Sequence, residues 1–333
     1  MSQAHETSTP KSPEPVDTTP PTKTGKGIFP QGFALLVGVG RCEYEPWSLP
    51  VTSNDAEELR AVLADPRRCG YLGENIQLLT DEDATRGEIL GALEILDRTA
   101  ARQPDATVVV YYSGHGWLDE AGRYYLVPSD TKPFDLARTA LRAEDFTAAL
   151  GRIRPERLLV ILDTCHAAGM AEAKNAIPPG FHRKAPPQEI AEILGSGQGR
   201  AVLSSCRGEQ SSWILPDNRL SIFTHHLIAA FSGQGSPARA EFVSVLDLMN
   251  HVSREVTRAA DGLGKTQTPF HKLEAESFPV ALLQPAESLE EASASRGQES
   301  PQPGRYHAEG DIVAPNSTIH GAVVTRPETY RGS

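Results

Sequence analysis

Two short polar turns, each at the end of an apolar run, carry the residues of this sequence that could do chemistry. The first turn, Tyr111–Gly116, follows the β-branched run Thr107–Val110 and contains a histidine. The second turn, Asp163–Ala167, follows a run of leucine, valine and isoleucine and contains a cysteine. A thiol reacts as the thiolate, and a nearby imidazole can draw off its proton. We therefore predict a Cys165/His115 dyad at the ends of two neighbouring buried strands.

His166, next to Cys165 in the sequence, is an alternative base. We favour His115, because adjacent side chains that leave a strand end usually diverge. A single cysteine at a strand end is more often an inert buried thiol, and we interpret Cys206 as one.

The composition excludes several classes of protein. The 333 residues are 39% hydrophobic and carry a net charge of −11 without a basic stripe, so we predict a substantial core and no nucleic-acid partner. The N-terminus lacks an apolar signal core, and no stretch approaches the roughly 18 apolar residues of a membrane helix. The four cysteines lack close pairs. We predict a cytoplasmic protein that does not bind membranes.

Apolar runs alternate with segments of helical spacing, which predicts an α/β fold with a mostly parallel central sheet and helices on both faces. In such sheets, ligands bind beyond the carboxyl ends of the strands, where His115 and Cys165 are predicted to lie. The predicted strands cover 33–39, 76–79, 107–110, 158–162, 201–205 and 278–283, and the predicted helices 52–64, 85–101, 143–150, 221–231 and 242–259.

Composition also suggests the boundaries. Residues 1–28 and 286–333 are rich in Pro, Ser, Thr and charged residues, and we predict disordered tails around a domain at 29–285. Within the domain, the Pro- and Gly-containing segment 171–200 is interpreted as an exposed linker between parts at 29–170 and 201–285.

The two turns resemble the histidine and cysteine motifs of the caspase-like cysteine proteases, most closely the metacaspase and bacterial orthocaspase branch. The motifs are Tyr112–Gly116 and Asp163–His166, and Cys165 follows His115 by 50 residues. Ser53–Ala56 is similar to the family's Asn-Asp-Ala segment. Leu220–Thr224 is similar to its Gly-x-Phe-Thr segment, although Ser221 stands where Gly is common. The resemblance runs from about Phe33 to Leu283 and implies a caspase-like sandwich.

The resemblance implies that Cys165 is the nucleophile and that His115 is the general base and then the acid. The backbone N–H groups of Gly116 and Cys165 would form the oxyanion hole, where each donor is worth roughly 2.7–4 kcal/mol in acyl-transfer enzymes.

The same resemblance implies that Asp163 and Asp55 line the pocket for the P1 side chain, with Ser113 as a further polar pocket residue. Two carboxylates in one pocket repel each other, which raises one pKa, and a guanidinium relieves that repulsion. We therefore predict substrates with P1 Arg, and also Lys, but not Asp. For Asp55, the alternative is an acid favoured by a helix N-terminus.

Three further expectations concern processing and partners. Self-cleavage in the 171–200 segment is predicted after Arg183 or Lys184, the alternative being an uncut surface loop. No cofactor is predicted; calcium is a weak possibility through Asp130, Glu144, Asp145 and Glu172. The segment 306–324 reads as strand, turn and strand, and it could recruit a partner, self-associate or dock on the domain.

The predicted function is a cysteine endopeptidase acting after basic residues. A role in bacterial stress, cell-death or defence signalling follows only from family analogy. Two alternatives remain open: a caspase-like scaffold or signalling protein that binds peptides with little catalysis, and a different hydrolase or transferase that uses the same dyad.

Overall fold

A computed structural model of the protein describes residues 27–103, 105–164, 177–195 and 199–283. Several residues of the sequence-based predictions lie outside these ranges: Cys165, His166, Glu172, Lys174 and the segment 306–324.

The described chain alternates strands and helices through most of its length. In chain order the strands are β1 (Gly32–Gly38), β2 (Ile76–Thr80), β3 (Thr107–Gly114), β4 (Gly116–Asp119), β5 (Tyr124–Leu126), β6 (Leu141–Arg142), β7 (Arg157–Thr164), β8 (Phe181–Arg183), β9 (Arg200–Ser204), β10 (Phe242–Ser244), β11 (Phe270–Glu274) and β12 (Pro279–Leu282). The helices are α1 (Val51–Ala64), α2 (Arg86–Ala100), α3 (Leu136–Thr139), α4 (Ala143–Leu150), α5 (Gln188–Leu194), α6 (Ile222–Phe231) and α7 (Val245–Gly262).

The central sheet has six strands in the order β11-β9-β7-β3-β1-β2. Neighbouring strands from β9 to β2 are parallel, and β11 pairs antiparallel with β9 at one edge. The interior strands are buried on both faces, which is why they read as unbroken apolar runs. The predicted α/β class with a mostly parallel sheet is confirmed.

Alternate residues of the strands contribute to two separate cores. On β1, Leu35 and Val37 pack in the layer that includes residues of α2 and α4, while Ala34 and Leu36 pack in the layer that includes α1, α6 and α7. Helices therefore cover both faces, and the carboxyl ends of β3 and β7 form an edge between the two layers.

Two smaller sheets were not predicted. A four-stranded antiparallel sheet has the order β6-β5-β4-β8, and it continues directly from the end of β3. The strand predicted at 278–283 is β12, which pairs with β10 outside the central sheet. The helix predicted from residue 242 begins only at Val245, because 242–244 form β10.

The described part of the segment 171–200 does not fit the interpretation as an exposed linker. It contains β8, which pairs with β4, and α5. Ala185 is fully buried, and Leu194 joins the core beside α4. Arg200 begins β9, which lies between β11 and β7 in the central sheet. Proline residues in the sequence suggested an open loop, whereas Ala185 and Leu194 anchor the described part of this segment in the domain.

Within the described ranges, no helix combines the length and the apolar character needed to cross a bilayer.

Candidate active site

The edge formed by the ends of β3 and β7 brings the two predicted motifs together. The strands are parallel neighbours, with Ser113 opposite Asp163 and Gly114 opposite Thr164. His115 follows directly from β3, and Thr164 is the last described residue before the position of Cys165. The two predicted dyad residues thus follow a pair of facing backbone positions.

His115 is buried, at 4% exposure, and its ring is oriented by a backbone group. Its Nε2 atom lies 2.8 Å from the carbonyl oxygen of Trp47. A carbonyl oxygen only accepts hydrogen bonds, so Nε2 carries the proton in this contact. In a neutral imidazole, Nδ1 is then the nitrogen that can accept a proton. The ring also lies against the indole of Trp117, with centroids 5.9 Å apart.

The loop that follows β1 positions Trp47. Its indole is fully buried and packs edge-on against Trp117, with centroids 4.6 Å apart. The loop is fixed at its base, because Val39 N donates to the carbonyl of Ser113 and Leu49 N donates to that of Gly40. Sequence reasoning named no residue that orients His115, because the group that does so is a main-chain carbonyl and leaves no signature in side-chain types.

Gly116 begins β4 where two side chains leave no room for a larger residue. A Cβ there would lie 1.8 Å from the hydroxyl oxygen of Tyr124 and 3.1 Å from Cβ of Thr164. That hydroxyl donates to Thr164 Oγ1 at 3.1 Å, so it crosses from β5 to the end of β7 beneath the glycine. The glycine in the His-Gly pair is therefore required by close packing at the edge of the sheet.

Asp55 and Asp163, predicted to share a pocket, are joined through one residue. Ser221 donates its backbone N–H to Asp55 Oδ1 at 3.0 Å and its hydroxyl to Asp163 Oδ2 at 2.5 Å. Ser113 donates its hydroxyl to the other oxygen of Asp55 at 3.2 Å. The three predicted pocket residues therefore meet in one cluster, in which both carboxyl groups are fully buried.

Further hydroxyl groups surround Asp163. Its Oδ1 accepts from Ser212 at 2.7 Å, and its Oδ2 accepts from Thr224 at 3.3 Å. The hydroxyl of Tyr111 lies 2.7 Å from Oγ1 of Thr224. These donors come from β3, from α6 and from the loop after β9. The hydroxyls of Ser212, Ser221 and Thr224 stabilise negative charge on Asp163, which a buried carboxylate requires.

The environment of Asp55 raises its pKa well above the usual range. Burial is the main cause, and the charge of Asp163 acts in the same direction, while the bonds from Ser221 and Ser113 oppose both effects. Asp55 lies beyond the first turn of α1, and its carboxyl group is bonded by Ser113 and Ser221. These bonds, and not a helix N-terminus, account for its surroundings.

Sequence reasoning did not identify the roles of Ser212, Ser221 and Thr224 in this cluster. The sequence did mark one of these residues as unusual, because Ser221 stands where Gly is common in the Gly-x-Phe-Thr segment that Leu220–Thr224 resembles. Ser221 also caps α6, because its hydroxyl accepts from Thr224 N at 2.8 Å. The serine thus begins a helix and bridges two acids, and helix-capping preference alone would have explained its presence.

Three of the four acids considered for calcium, Asp130, Glu144 and Asp145, lie among the described residues. Asp130 accepts from the backbone N of Arg86, and Asp145 pairs with the guanidinium of that arginine at 3.2 Å. Glu144 is exposed on α4. Among the described residues, no group of three or more His, Cys, Asp or Glu side chains could hold a metal ion.

Two described cysteines differ from a reactive thiol. Burial raises the pKa of Cys42 to about 12 and that of Cys206 to about 12. Neither thiol forms thiolate at neutral pH, and the interpretation of Cys206 as structural fits this environment.

Comparison with known proteins shows where this architecture belongs. Residues 31–277 match the caspase-domain model of the C14 peptidases. One similar solved structure is a structural-genomics protein from Geobacter sulfurreducens, with 18% identity, a TM-score of 0.49, and coverage of 77% of this chain and 98% of that one. Another is caspase-1 from Spodoptera frugiperda, with 16% identity, a TM-score of 0.47, and coverage of 78% and 91%. No curated protein matches the sequence. Because the family match spans most of the chain, including both predicted motifs, the protein belongs to the caspase-domain family of cysteine peptidases.

Proposed function

We propose that this protein is a cysteine endopeptidase that cleaves peptide bonds after Arg or Lys. Cys165 is the nucleophile, His115 is the general base and then the acid, and the N–H groups of Gly116 and Cys165 stabilise the oxyanion. Asp55, Asp163 and Ser113 bind the P1 cation.

The observation that carries this proposal is the pair of carboxyl groups joined by Ser221. Asp55 and Asp163 are both fully buried, and burial of two carboxyl groups so close together disfavours two negative charges. A guanidinium or ammonium group relieves that repulsion, while an acidic P1 side chain would increase it. The cluster thus favours a basic substrate.

The proposed reaction uses the His115 geometry directly. Nδ1 accepts the Cys165 proton, and the sulfur forms a bond to the scissile carbonyl carbon while the π electrons move to the carbonyl oxygen. The N–H of Gly116 donates to that oxyanion. When the C–N bond breaks, His115 returns the proton to the leaving amine. Water then attacks the thioester carbonyl carbon while His115 takes its proton, the C–S bond breaks, and His115 returns the proton to the sulfur of Cys165.

A panel of fluorogenic peptides that differ only at P1 tests this function. Wild type is expected to cleave P1-Arg and P1-Lys peptides and to leave P1-Asp intact, and Cys165→Ala is expected to be inactive. Cys69→Ala is the matched control, because Cys69 is a buried thiol whose Sγ bonds the carbonyl of Phe231 in the α1/α6/α7 core layer. A preference for P1-Asp, or full activity in Cys165→Ala, would contradict the proposal.

The acid pair can be tested separately. Asp163→Asn is expected to lower kcat/KM for P1-Arg by about 10²-fold or more, because a hydrogen-bonded charge pair is worth several kcal/mol when desolvated. Asp119→Asn is the control, since Asp119 is a buried acid bonded to Arg123 in the small sheet. Equal losses in both variants would indicate a general effect on folding instead of P1 recognition.

We also propose that the protein belongs to the metacaspase or orthocaspase branch and acts in the cytoplasm in stress, cell-death or defence signalling. The sequence motifs support the branch, and the free, buried thiols of Cys42, Cys69 and Cys206 fit a reducing compartment. Activity that is unchanged by a chelator would show that calcium is not required. Unchanged oligomeric state after deletion of residues 300–333 would argue against self-association through the C-terminal segment.

A further inference from the structure

The hydroxyl of Tyr112 meets the main chain of the His-Gly turn. Tyr112 lies on β3 and is buried in the α2/α4 core layer, at 1% exposure. Its hydroxyl oxygen is 3.2 Å from the carbonyl oxygen of His115 and 3.1 Å from that of Val127, so both oxygens are within reach of its proton. The same oxygen accepts from Val127 N at 3.1 Å.

Gly114 makes room for this arrangement. A Cβ at that position would lie 2.8 Å from the hydroxyl oxygen of Tyr112 and 3.0 Å from its Cζ. The tyrosine therefore reaches the turn by passing directly beside a glycine of the motif. This contact gives the glycine before His115 a packing role.

The carbonyl of His115 belongs to the same planar peptide unit as the N–H of Gly116. The carbonyl oxygen of His115 also accepts a hydrogen bond from the backbone N–H of Val127 at 3.1 Å. Because the unit is rigid, holding its oxygen fixes the direction of its N–H. Hydrogen bonds to a carbonyl oxygen also polarise the amide and strengthen the N–H as a donor.

We propose that Tyr112 is a positioning residue that aligns and polarises the Gly116 N–H, the donor that stabilises the oxyanion. This inference rests on the proposed peptidase function. The tyrosine does not touch the substrate; it acts through the His115–Gly116 peptide unit. The effect of Tyr112 is therefore confined to states in which the scissile carbonyl oxygen of the substrate carries negative charge.

The test compares Tyr112→Phe with Tyr71→Phe. Tyr71 is the matched control, because its buried hydroxyl donates to the carbonyl of Val280 at 2.6 Å in the opposite core layer. Removal of a whole oxyanion donor costs about 10²–10³ in kcat, and Tyr112→Phe misaligns a donor without deleting it. We therefore expect kcat to fall by roughly 5- to 30-fold, with KM and the pH profile unchanged, while Tyr71→Phe changes kcat less than about 2-fold.

Two further readouts separate positioning from general loosening of the fold. A peptidyl-arginal forms a hemithioacetal with an oxygen at the oxyanion position, so its Ki is expected to rise in Tyr112→Phe by the same factor as kcat falls. Binding of an uncleaved P1-Arg peptide to Tyr112→Phe/Cys165→Ala is expected to match binding to Cys165→Ala. Replacement of Tyr112 by p-aminophenylalanine, which restores a donor and an acceptor, is expected to recover most of kcat.

An amide NMR signal tests the contact without any activity. The Gly116 N–H resonance is expected to move upfield in Tyr112→Phe and to stay in place in Tyr71→Phe. An unchanged resonance, or equal loss of kcat and of uncleaved-peptide affinity, would overturn the inference. If wild type cleaves no P1-Arg or P1-Lys peptide, the proposed function fails. The Gly116 N–H resonance then still decides whether Tyr112 holds the His115–Gly116 peptide unit. If Tyr112→Phe does not fold, Gly114→Ala, whose methyl displaces the hydroxyl, undergoes the same measurements.

Discussion

The Nε2 atom of His115 lies 2.8 Å from the carbonyl oxygen of Trp47, and this contact assigns the proton within the imidazole. The neutral ring must carry its hydrogen on Nε2, because the carbonyl accepts and cannot donate. We predict that ¹⁵N NMR of the protein near pH 8 shows the Nε2–H tautomer for His115. A dominant Nδ1–H tautomer would contradict the contact and would remove Nδ1 as the proposed base.

The tight packing around Gly116 predicts a specific double-mutant result. Gly116→Ala is expected to lower the free energy of unfolding by about 1–3 kcal/mol, because its methyl would overlap the Tyr124 hydroxyl. Tyr124→Phe removes that hydroxyl, so Gly116→Ala/Tyr124→Phe is expected to be more stable than the sum of the single changes. Urea unfolding of the four proteins measures the coupling. Strict additivity would show that the two residues do not compete for the same space.

The acid pair predicts opposite effects of two similar substitutions. Asp55 has a raised pKa in the folded protein, so its burial favours the protonated form, and that contribution to stability is lost as pH rises through the folded pKa. Asp55→Asn mimics the protonated carboxyl group, so it is expected to raise stability at high pH. Asp163→Asn places an amide among three hydroxyl donors and is expected to lower stability.

Thermal unfolding between pH 5 and pH 9 measures this difference. The gap between Asp55→Asn and wild type is expected to widen as pH rises. Asp119→Asn serves as the control, because burial raises the pKa of that carboxyl group but bonds from Arg123 and Tyr125 outweigh it and lower the pKa. Asp119→Asn is therefore expected to lower the free energy of unfolding at every pH above the usual pKa range of an aspartate. A constant gap for Asp55→Asn would show that the acid is ionised throughout.

Sequence reasoning identified the parts of this fold that depend on local pattern. The strands β1, β3 and β7 are continuous apolar runs because they are buried on both faces. The meeting of Ser113 and Asp163 also follows from pattern, because each directly follows its apolar run and is the next-to-last residue of its strand.

The missed elements depend on contacts that local pattern does not encode. The strands β6 and β8 have only two and three residues, too few to show alternation. Trp47 acts through its carbonyl, which every residue has. Ser221 reaches two acids from far along the chain, and only the tertiary fold shows why a serine stands there.

A histidine pair between α6 and α7 predicts loss of stability in acid. Burial is the main cause that lowers the pKa of His226 to about 4, and the nearby His225 and His251 add to it. Protonation is therefore disfavoured in the folded protein relative to the unfolded chain, whose histidine has a pKa near 6.5. The contribution of neutral His226 to the free energy of unfolding is complete above about pH 6.5 and is lost as pH falls toward 4. Because His226 is partly exposed, water screens part of this effect.

Urea unfolding at several pH values measures this loss. His226→Gln is expected to reduce the decline in stability between pH 6.5 and pH 4, because the amide does not titrate. His182→Gln is the control, since His182 is an exposed histidine on β8, outside α6 and α7. Equal acid profiles for His226→Gln and wild type would show that other groups control the decline.

The pairing of β8 with β4 makes a prediction about self-processing. Arg183 lies opposite Trp117, and the backbone N–H of Lys184 donates to the carbonyl of Gly116 at 3.1 Å. The Lys184 side chain forms an ion pair with Glu209 at 2.6 Å. A protease binds its substrate as an accessible extended chain, so cleavage after Arg183 or Lys184 requires this segment to leave the sheet first.

We therefore expect these two bonds to resist brief trypsin digestion in the Cys165→Ala protein. Glu209→Lys replaces the ion pair by repulsion, and it is expected to speed cleavage at Lys184 in the same background. Glu120→Lys is the control, because Glu120 is an exposed acid on the turn after β4 and forms no ion pair among the described residues. Mass spectrometry of the fragments identifies the cut bond. Rapid cleavage after Arg183 in Cys165→Ala would show that β8 is accessible, and self-processing would then need no prior release of the strand.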